Sequence, residues 1–151
     1  MKATMVTRIR KLTQQYAYTS LQMHETVARR AGLSGTDHKY LGFLIQHGQM
    51  TAGELAQFTG LTTGAVTGLV DRFESKGLVQ RQFAENDRRK VMIVPDTEKI
   101  MALLAPLYKD FRSRSELLTA SFTEKELRVI EAYFQQAVDL MKEVTEQLNN
   151  Q

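Results

Sequence analysis

Two groups of residues in this sequence have the chemistry to grip another molecule. Asp87–Arg88–Arg89–Lys90 sets three cations in a row behind one acid. A guanidinium carries permanent charge and a planar fork of donors that suits phosphate oxygens and base edges. Thr62–Thr63–Gly64–Ala65 and Thr67–Gly68 supply small side chains and hydroxyls within one short stretch. Small residues let a backbone come close to a surface, while threonine offers a hydroxyl to phosphate and a methyl to thymine. Both chemistries bind; neither makes or breaks bonds. There is no cysteine, which removes disulfides, thiolate nucleophiles, thiolate metal sites and thiol-based oxidant sensing. No Gly-rich phosphate loop or nucleophile elbow is present, and Glu124 and Glu126 stand at a helix start where capping accounts for them. His24, His38 and His47 are the remaining candidates. No pair of them has the i, i+4 spacing of a helical metal site, and His24–Glu25–Thr26–Val27–Ala28 fails the HExxH pattern at its last position. They are expected to be hydrogen-bonded or surface histidines, with no metal site, no cofactor and no catalysis.

The elements that would position these groups follow from patterning. The 151 residues, 42% of them hydrophobic, suffice for one domain with a real core. Ile9, Leu12, Tyr16, Met23 and Val27 recur at helical spacing and predict an amphipathic first helix. Ser34–Gly35–Thr36–Asp37 signals the start of a second, with Tyr40, Leu41, Leu44 and Ile45 inward and Gly48 as its stop. Thr51–Ala52–Gly53–Glu54 is a capping box opening a short third helix that Gly60 ends. A fourth begins at Thr62 or Thr63, with Val66, Leu69, Val70 and Phe73 on its buried face and Gly77 at its end. The period then changes: Leu78–Phe83 and Lys90–Val94 read as strands around the turn-like Glu85–Asn86–Asp87. Pro95 closes the second strand. Ile100, Leu103, Leu104, Leu107 and Phe111 mark a further helix, which Pro106 is expected to kink or to start. Thr123–Glu126 is another capping box, followed by Leu127, Ile130, Phe134, Ala137, Met141, Val144 and Leu148 in a sustained heptad seam.

Charge is uneven along this frame. Met1–Arg30 carries six bases against Glu25, and Lys76–Lys90 carries five against Glu85 and Asp87. From Glu116 onward seven acids face three bases. A polyanion is drawn to the first two regions and repelled by the last. No apolar run approaches the ~18–20 residues of a membrane span, and the N-terminus lacks a signal-peptide core, so a cytoplasmic protein with no membrane partner is expected.

Thr51–Lys76 is helix, tight turn, helix, the arrangement that places its second helix in the DNA major groove. Two glycines inside that helix cost roughly ~1 kcal/mol each in propensity, a cost best tolerated where bulk is forbidden. The hairpin that follows makes it a winged helix, with arginines at the wing tip that suit a narrow, electronegative minor groove. The alternative is a helical protein-interaction module without DNA binding, its seam meeting some other partner; the charged wing beside a small-residue helix face argues against it.

Leu55–Val94 resembles the core of the MarR (multiple antibiotic resistance regulator) family of winged-helix transcriptional regulators. The matching stretches are TTGAVTGLVDRFESKGLVQR, from Thr62 to Arg81, and NDRRKVMIV, from Asn86 to Val94. The resemblance implies a mainly α fold with a small β-hairpin wing: a DNA-binding lobe over residues 34–95, and dimerisation helices over 1–33 and 96–151. It implies a homodimer on a pseudo-palindromic duplex operator, with Arg89 as the wing arginine, Asp87 orienting nearby arginines, and Thr63, Ala65, Thr67 and Gly68 in the recognition helix. Thr62, Gly64, Arg72 and Arg88 complete the expected DNA-binding set, with Arg88 expected to turn toward Asp87 or a phosphate. Ile9, Leu12, Leu127, Ile130, Phe134, Met141, Val144 and Leu148 are the expected dimer contacts. The family also implies a small aromatic or phenolic ligand that releases the protein from its operator or modulates it there, with Tyr16, Met23, Tyr40, Phe43 and Phe111 as candidate lining. The chain departs from the family at Gly68, often polar or basic in relatives, and at Val94–Pro95, where leucine–threonine is usual.

Overall fold

The computed structural model describes residues 1–151. Its order is α1 (Lys2–Arg30), α2 (Gly35–His47), β1 (Met50–Thr51), α3 (Ala52–Thr59), α4 (Thr63–Ser75), β2 (Val79–Ala84), β3 (Asp87–Pro95), α5 (Thr97–Ala120) and α6 (Glu124–Asn149). The helix starts are set by side chains that take up orphan backbone donors. The Ser34 hydroxyl accepts from the Asp37 N–H at 3.0 Å and opens α2. Thr51 and Glu54 cap each other's backbone at 3.1 and 2.9 Å and open α3. Thr62 accepts from the Ala65 N–H at 3.2 Å and opens α4. The turn between α3 and α4 rests on Gly60, whose φ of 72° is a left-handed conformation costly to any residue bearing a Cβ.

The chain divides into two compact units, Met1–Tyr108 and Lys109–Gln151. In the first, the buried faces of α2, α3 and α4 meet the sheet in one core. Leu41, Leu44, Leu55, Val66, Leu69, Val70, Phe73, Val79 and Ile93 are at its centre. Ala28 of α1, with Ile100 and Leu104 of α5, belongs to the same core, which therefore reaches beyond residues 34–95 on both sides. The sheet is antiparallel in the order β1-β3-β2. Strand β3 pairs with β2 from Val79 opposite Pro95 to Phe83 opposite Val91, and a bulge follows between Phe83 and Ala84 before the turn at Glu85–Asn86. Its inner end pairs with β1, Met50 opposite Ile93 and Thr51 opposite Met92. That third strand is absent from the patterning, because two residues are too few to show a period.

Of the two roles expected of Pro106, that of helix start is corrected. Helix α5 starts nine residues earlier, at Thr97, and runs through the proline. The proline neither starts the helix nor stops it, though it removes one backbone donor from the ladder.

The second unit holds the end of α5 and the whole of α6. Thr123 and Glu126 form the expected capping box, and Arg128 pairs with Glu124 one turn along. No residue of α6 is buried. Phe134 is 51% exposed and Met141 62%, and Val144 and Leu148 are also exposed, while Leu127 and Ile130 are half-buried. On α1, Ile9 and Leu12 are exposed too. No helix is long and apolar enough to cross a membrane.

Candidate nucleic-acid interface

Helix α4 buries Val66, Leu69, Val70 and Phe73 against the core. The same turns put Thr63, Gly64, Ala65 and Thr67 on the exposed side, with Gly68 half-covered at its margin. The chain's own packing does not require this face to be small. A Cβ built on Gly64 meets nothing within 4 Å, and one built on Gly68 meets only Arg72 Nη1 at 3.5 Å, an ordinary contact. The helix thus carries two unfavourable glycines that no neighbour in the chain explains. The Thr67 hydroxyl donates to the Thr63 carbonyl at 3.0 Å, and Thr62 is spent as the cap.

Arg72 lies on the same helix, but its guanidinium is engaged within the chain. Its Nε and Nη2 donate to the two oxygens of Asp37, each at 2.9 Å. Asp37 is buried in the first turn of α2, where the helix N-terminus also favours a carboxylate. These hydrogen bonds raise the pKa of Arg72 above its ordinary value. Arg72 therefore ties α4 to α2 in this conformation, rather than standing free toward a phosphate.

A second tie fixes α4 to the wing. Arg81 of β2 donates to Asp71 at 2.6 Å and to Glu74 at 2.8 Å, while its own N–H donates to Glu74 at 3.1 Å. Hydrogen bonds donated to Asp71 first, and then to Glu74, raise the arginine's pKa. Asp71, on the outer face of α4, is occupied in positioning the hairpin.

At the wing tip, Asp87 accepts from the backbone N–H of Arg89 at 3.0 Å and from its Nε at 3.2 Å. The backbone bond first, and then the side-chain bond, lower the pKa of Asp87. It is thus Arg89 that Asp87 holds, and the expectation that Arg88 turns to Asp87 is corrected. The hold leaves the Arg89 side chain 92% exposed, with its two terminal nitrogens free of the carboxylate. Arg88 and Lys90 form no ion pair, so the wing presents cations to its surroundings.

The expected ligand-lining residues are scattered in character. Met23, Tyr40 and Phe43 are half-buried, whereas Tyr16 and Phe111 are exposed, the latter in the second unit. Phe43 packs at a tilt of 36° against His47, 4.2 Å between ring centroids, and His47 in turn stacks on the exposed Phe58 at 5.6 Å. The other two histidines, His24 and His38, meet at Tyr108. The ties of Asp37 to Arg72 and of His24 and His38 to Tyr108 span 35, 84 and 70 residues, and nothing in local spacing announces them.

A helix-turn-helix followed at once by a hairpin on a three-stranded sheet is a winged helix, the class of this fold. The MarR family model matches residues 31–90. The HTH-type transcriptional regulator YcgE of Bacillus subtilis, itself uncharacterized, is 42% identical over 125 residues, 83% of this chain and 80% of that protein. Among solved structures, a MarR family protein from Bacillus stearothermophilus superimposes with a TM-score of 0.71 at 22% identity, over 94% of this chain and 99% of that one. A mutant MepR of S. aureus, bound to an oligodeoxyribonucleotide, gives a TM-score of 0.60 at 20% identity over 88% and 97%. The chain belongs to the MarR family and is a transcriptional regulator, as its relatives are, and not an enzyme.

Proposed function

We propose that the chain acts as a homodimer on a pseudo-palindromic duplex operator, with α4 in the major groove and the wing in the adjacent minor groove. The observation that carries this is the exposed small-residue face of α4, which the chain's own packing does not require, beside a wing whose Arg89 is almost wholly exposed. A close-fitting surface flanked by a long cation matches a groove and its phosphates. The solved MepR relative bound to an oligodeoxyribonucleotide supports the same partner. In this reading Thr62, Thr63, Gly64, Ala65, Thr67 and Gly68 form the docking face, and Arg88 and Arg89 the wing contact, with Asp87 aiming Arg89. Arg72 acts through Asp37 to hold the helix in place.

Residues 34–95 serve as the DNA-binding lobe, and 1–33 with 96–151 carry the dimer contacts. Helix α6 supports this assignment, since this 26-residue amphipathic helix has no buried residue and leaves Phe134, Met141, Val144 and Leu148 of its seam exposed. A second copy covers Phe134, Met141, Val144 and Leu148, together with Ile9 and Leu12 of α1. Small aromatic or phenolic molecules modulate the protein on its operator, with Tyr16, Met23, Tyr40, Phe43 and Phe111 as the residues to probe.

The test is selection of bound duplexes from a random pool, followed by fluorescence anisotropy on the selected site across a salt series. Binding that falls steeply and linearly with the logarithm of salt is the expected result. Failure to select any duplex, with the protein folded and dimeric, would refute the proposal.

A further inference from the structure

The first turn of α2 faces two ways. Asp37 reaches α4, where it accepts both hydrogen bonds of the Arg72 fork. His38, the next residue, reaches away from it: Nε2 lies 3.2 Å from the Tyr108 hydroxyl of α5. That hydroxyl lies 2.6 Å from Nδ1 of His24 on α1. One phenol oxygen therefore stands between two imidazoles whose ring centroids are 6.1 Å apart. With the rings neutral, the phenol donates to one nitrogen and accepts from the other. With both rings protonated, both nitrogens become donors, the phenol proton loses its acceptor, and two cations face each other.

We infer that the first turn of α2 couples protonation of the His24–Tyr108–His38 cluster to the recognition helix through the Asp37–Arg72 pair, so that acidification weakens the grip on DNA. The inference rests on the DNA-binding reading above. A proton added to His38 makes a half-buried cation beside another imidazole, and withdrawal of His38 from the cluster relieves it. Asp37 is one residue away on the same turn, and a bidentate carboxylate–guanidinium pair tolerates little displacement. Movement of that turn loosens the only side-chain tie between α2 and Arg72.

The direction follows from the surroundings of His38. Burial first, and then the neighbouring His24, lower its pKa. The groups facing it are His24 from α1 and Tyr108 from α5; no carboxylate compensates. Glu25 of α1 lies against Gly35, and Asp37 is occupied by Arg72. Lys39, the next residue, sits over the Tyr40 ring. A cation whose pKa is depressed in the packed state favours that state above the ordinary imidazole value of about 6.5, and the advantage is lost as pH falls below it.

The experiment titrates the full-length protein from about pH 8 to about pH 5.5, across the imidazole range. Anisotropy on one selected duplex at fixed salt is followed beside the NMR signals of the histidine rings and of Arg72 Nε–H. The parent is expected to lose at least about fivefold in affinity, the lower range of allosteric coupling. The Arg72 Nε–H signal is expected to move with the same midpoint as His38. His38→Gln and Tyr108→Phe should flatten both responses, whereas His47→Gln, outside the cluster, should keep the parent's profile. An Arg72 signal that stays fixed through the His38 titration overturns the coupling, with or without DNA present. So does a parent-like pH profile in folded His38→Gln and Tyr108→Phe. Failure to select any duplex would instead strike the DNA-binding reading, and the Arg72 signal would still decide the coupling.

Discussion

Gly68→Ala separates the two reasons a helix can hold a glycine. Gly68 is the sixth residue of the 13-residue α4, well inside the helix, where alanine gains about 1 kcal/mol over glycine in propensity. No steric cost offsets this gain, because the new methyl would stand 3.5 Å from Arg72 Nη1 and touch nothing closer. In a chain of this length that corresponds to a melting temperature higher by about 2–4 °C. Against DNA the sign reverses. A methyl wedged into a close-packed contact costs about 1–3 kcal/mol, and a two-fold dimer presents the helix twice, so operator affinity should fall at least about tenfold. Thermal melting and fluorescence anisotropy on one operator at fixed salt measure the two effects on the same sample. A variant that melts higher and binds as the parent does would show that the face does not approach DNA. A variant that melts lower would show that the glycine serves the fold. Gly64→Ala should behave alike in binding, with a smaller stability gain because Gly64 lies in the first turn.

Arg89→Ala should weaken operator binding at least about tenfold, from ~1–2 kcal/mol at each of two wings, and leave the melting curve unchanged; equal affinity would remove the wing from the mechanism. Replacing Phe134 and Met141 together by aspartate should give monomers or unfolded protein in sedimentation, and a folded double variant that stays dimeric would refute the assigned seam. Phe73→Ala, at a fully buried position, should cost about 3–5 kcal/mol in denaturant unfolding; a loss under about 1 kcal/mol would place that ring outside the core. With no cysteine in the chain, peroxide too mild to oxidise its seven methionines should leave operator binding unaltered in an anisotropy assay; release by such peroxide alongside indifference to phenolic compounds would overturn non-covalent control.

The parts of the fold legible in the sequence are those that local chemistry writes. Ser34, Thr51, Thr62 and Thr123 announce helix starts because a cap bonds within three residues of itself. The α4 core face is equally plain, since Val66, Leu69, Val70 and Phe73 repeat at one period. What stayed hidden is written across distance. Strand β1 exists only because Met50 and Thr51 meet Ile93 and Met92. Arg72 looks like a free cation on a DNA-facing helix until Asp37, thirty-five residues earlier, is seen to hold it. Asp87 is adjacent to Arg88 in sequence, yet the turn of the wing brings Arg89's N–H and Nε to it instead. Pro106 reads as a kink or a helix start, but α5 begins at Thr97 and continues through it, showing that one missing donor does not by itself end a 24-residue helix.

The sparseness of the α4 face bears on how much information the protein can extract from a genome. Thr67 already spends its donor on the Thr63 carbonyl and Thr62 caps the helix, so few side-chain donors remain to question base edges. Each base pair left unread forfeits about 1–3 kcal/mol of discrimination, against roughly 10⁶–10⁹ competing sites in a genome. A regulator built this way would gain selectivity from groove width and from the fixed interval between two half-sites. Its operators would then be free to drift in letter while keeping their shape.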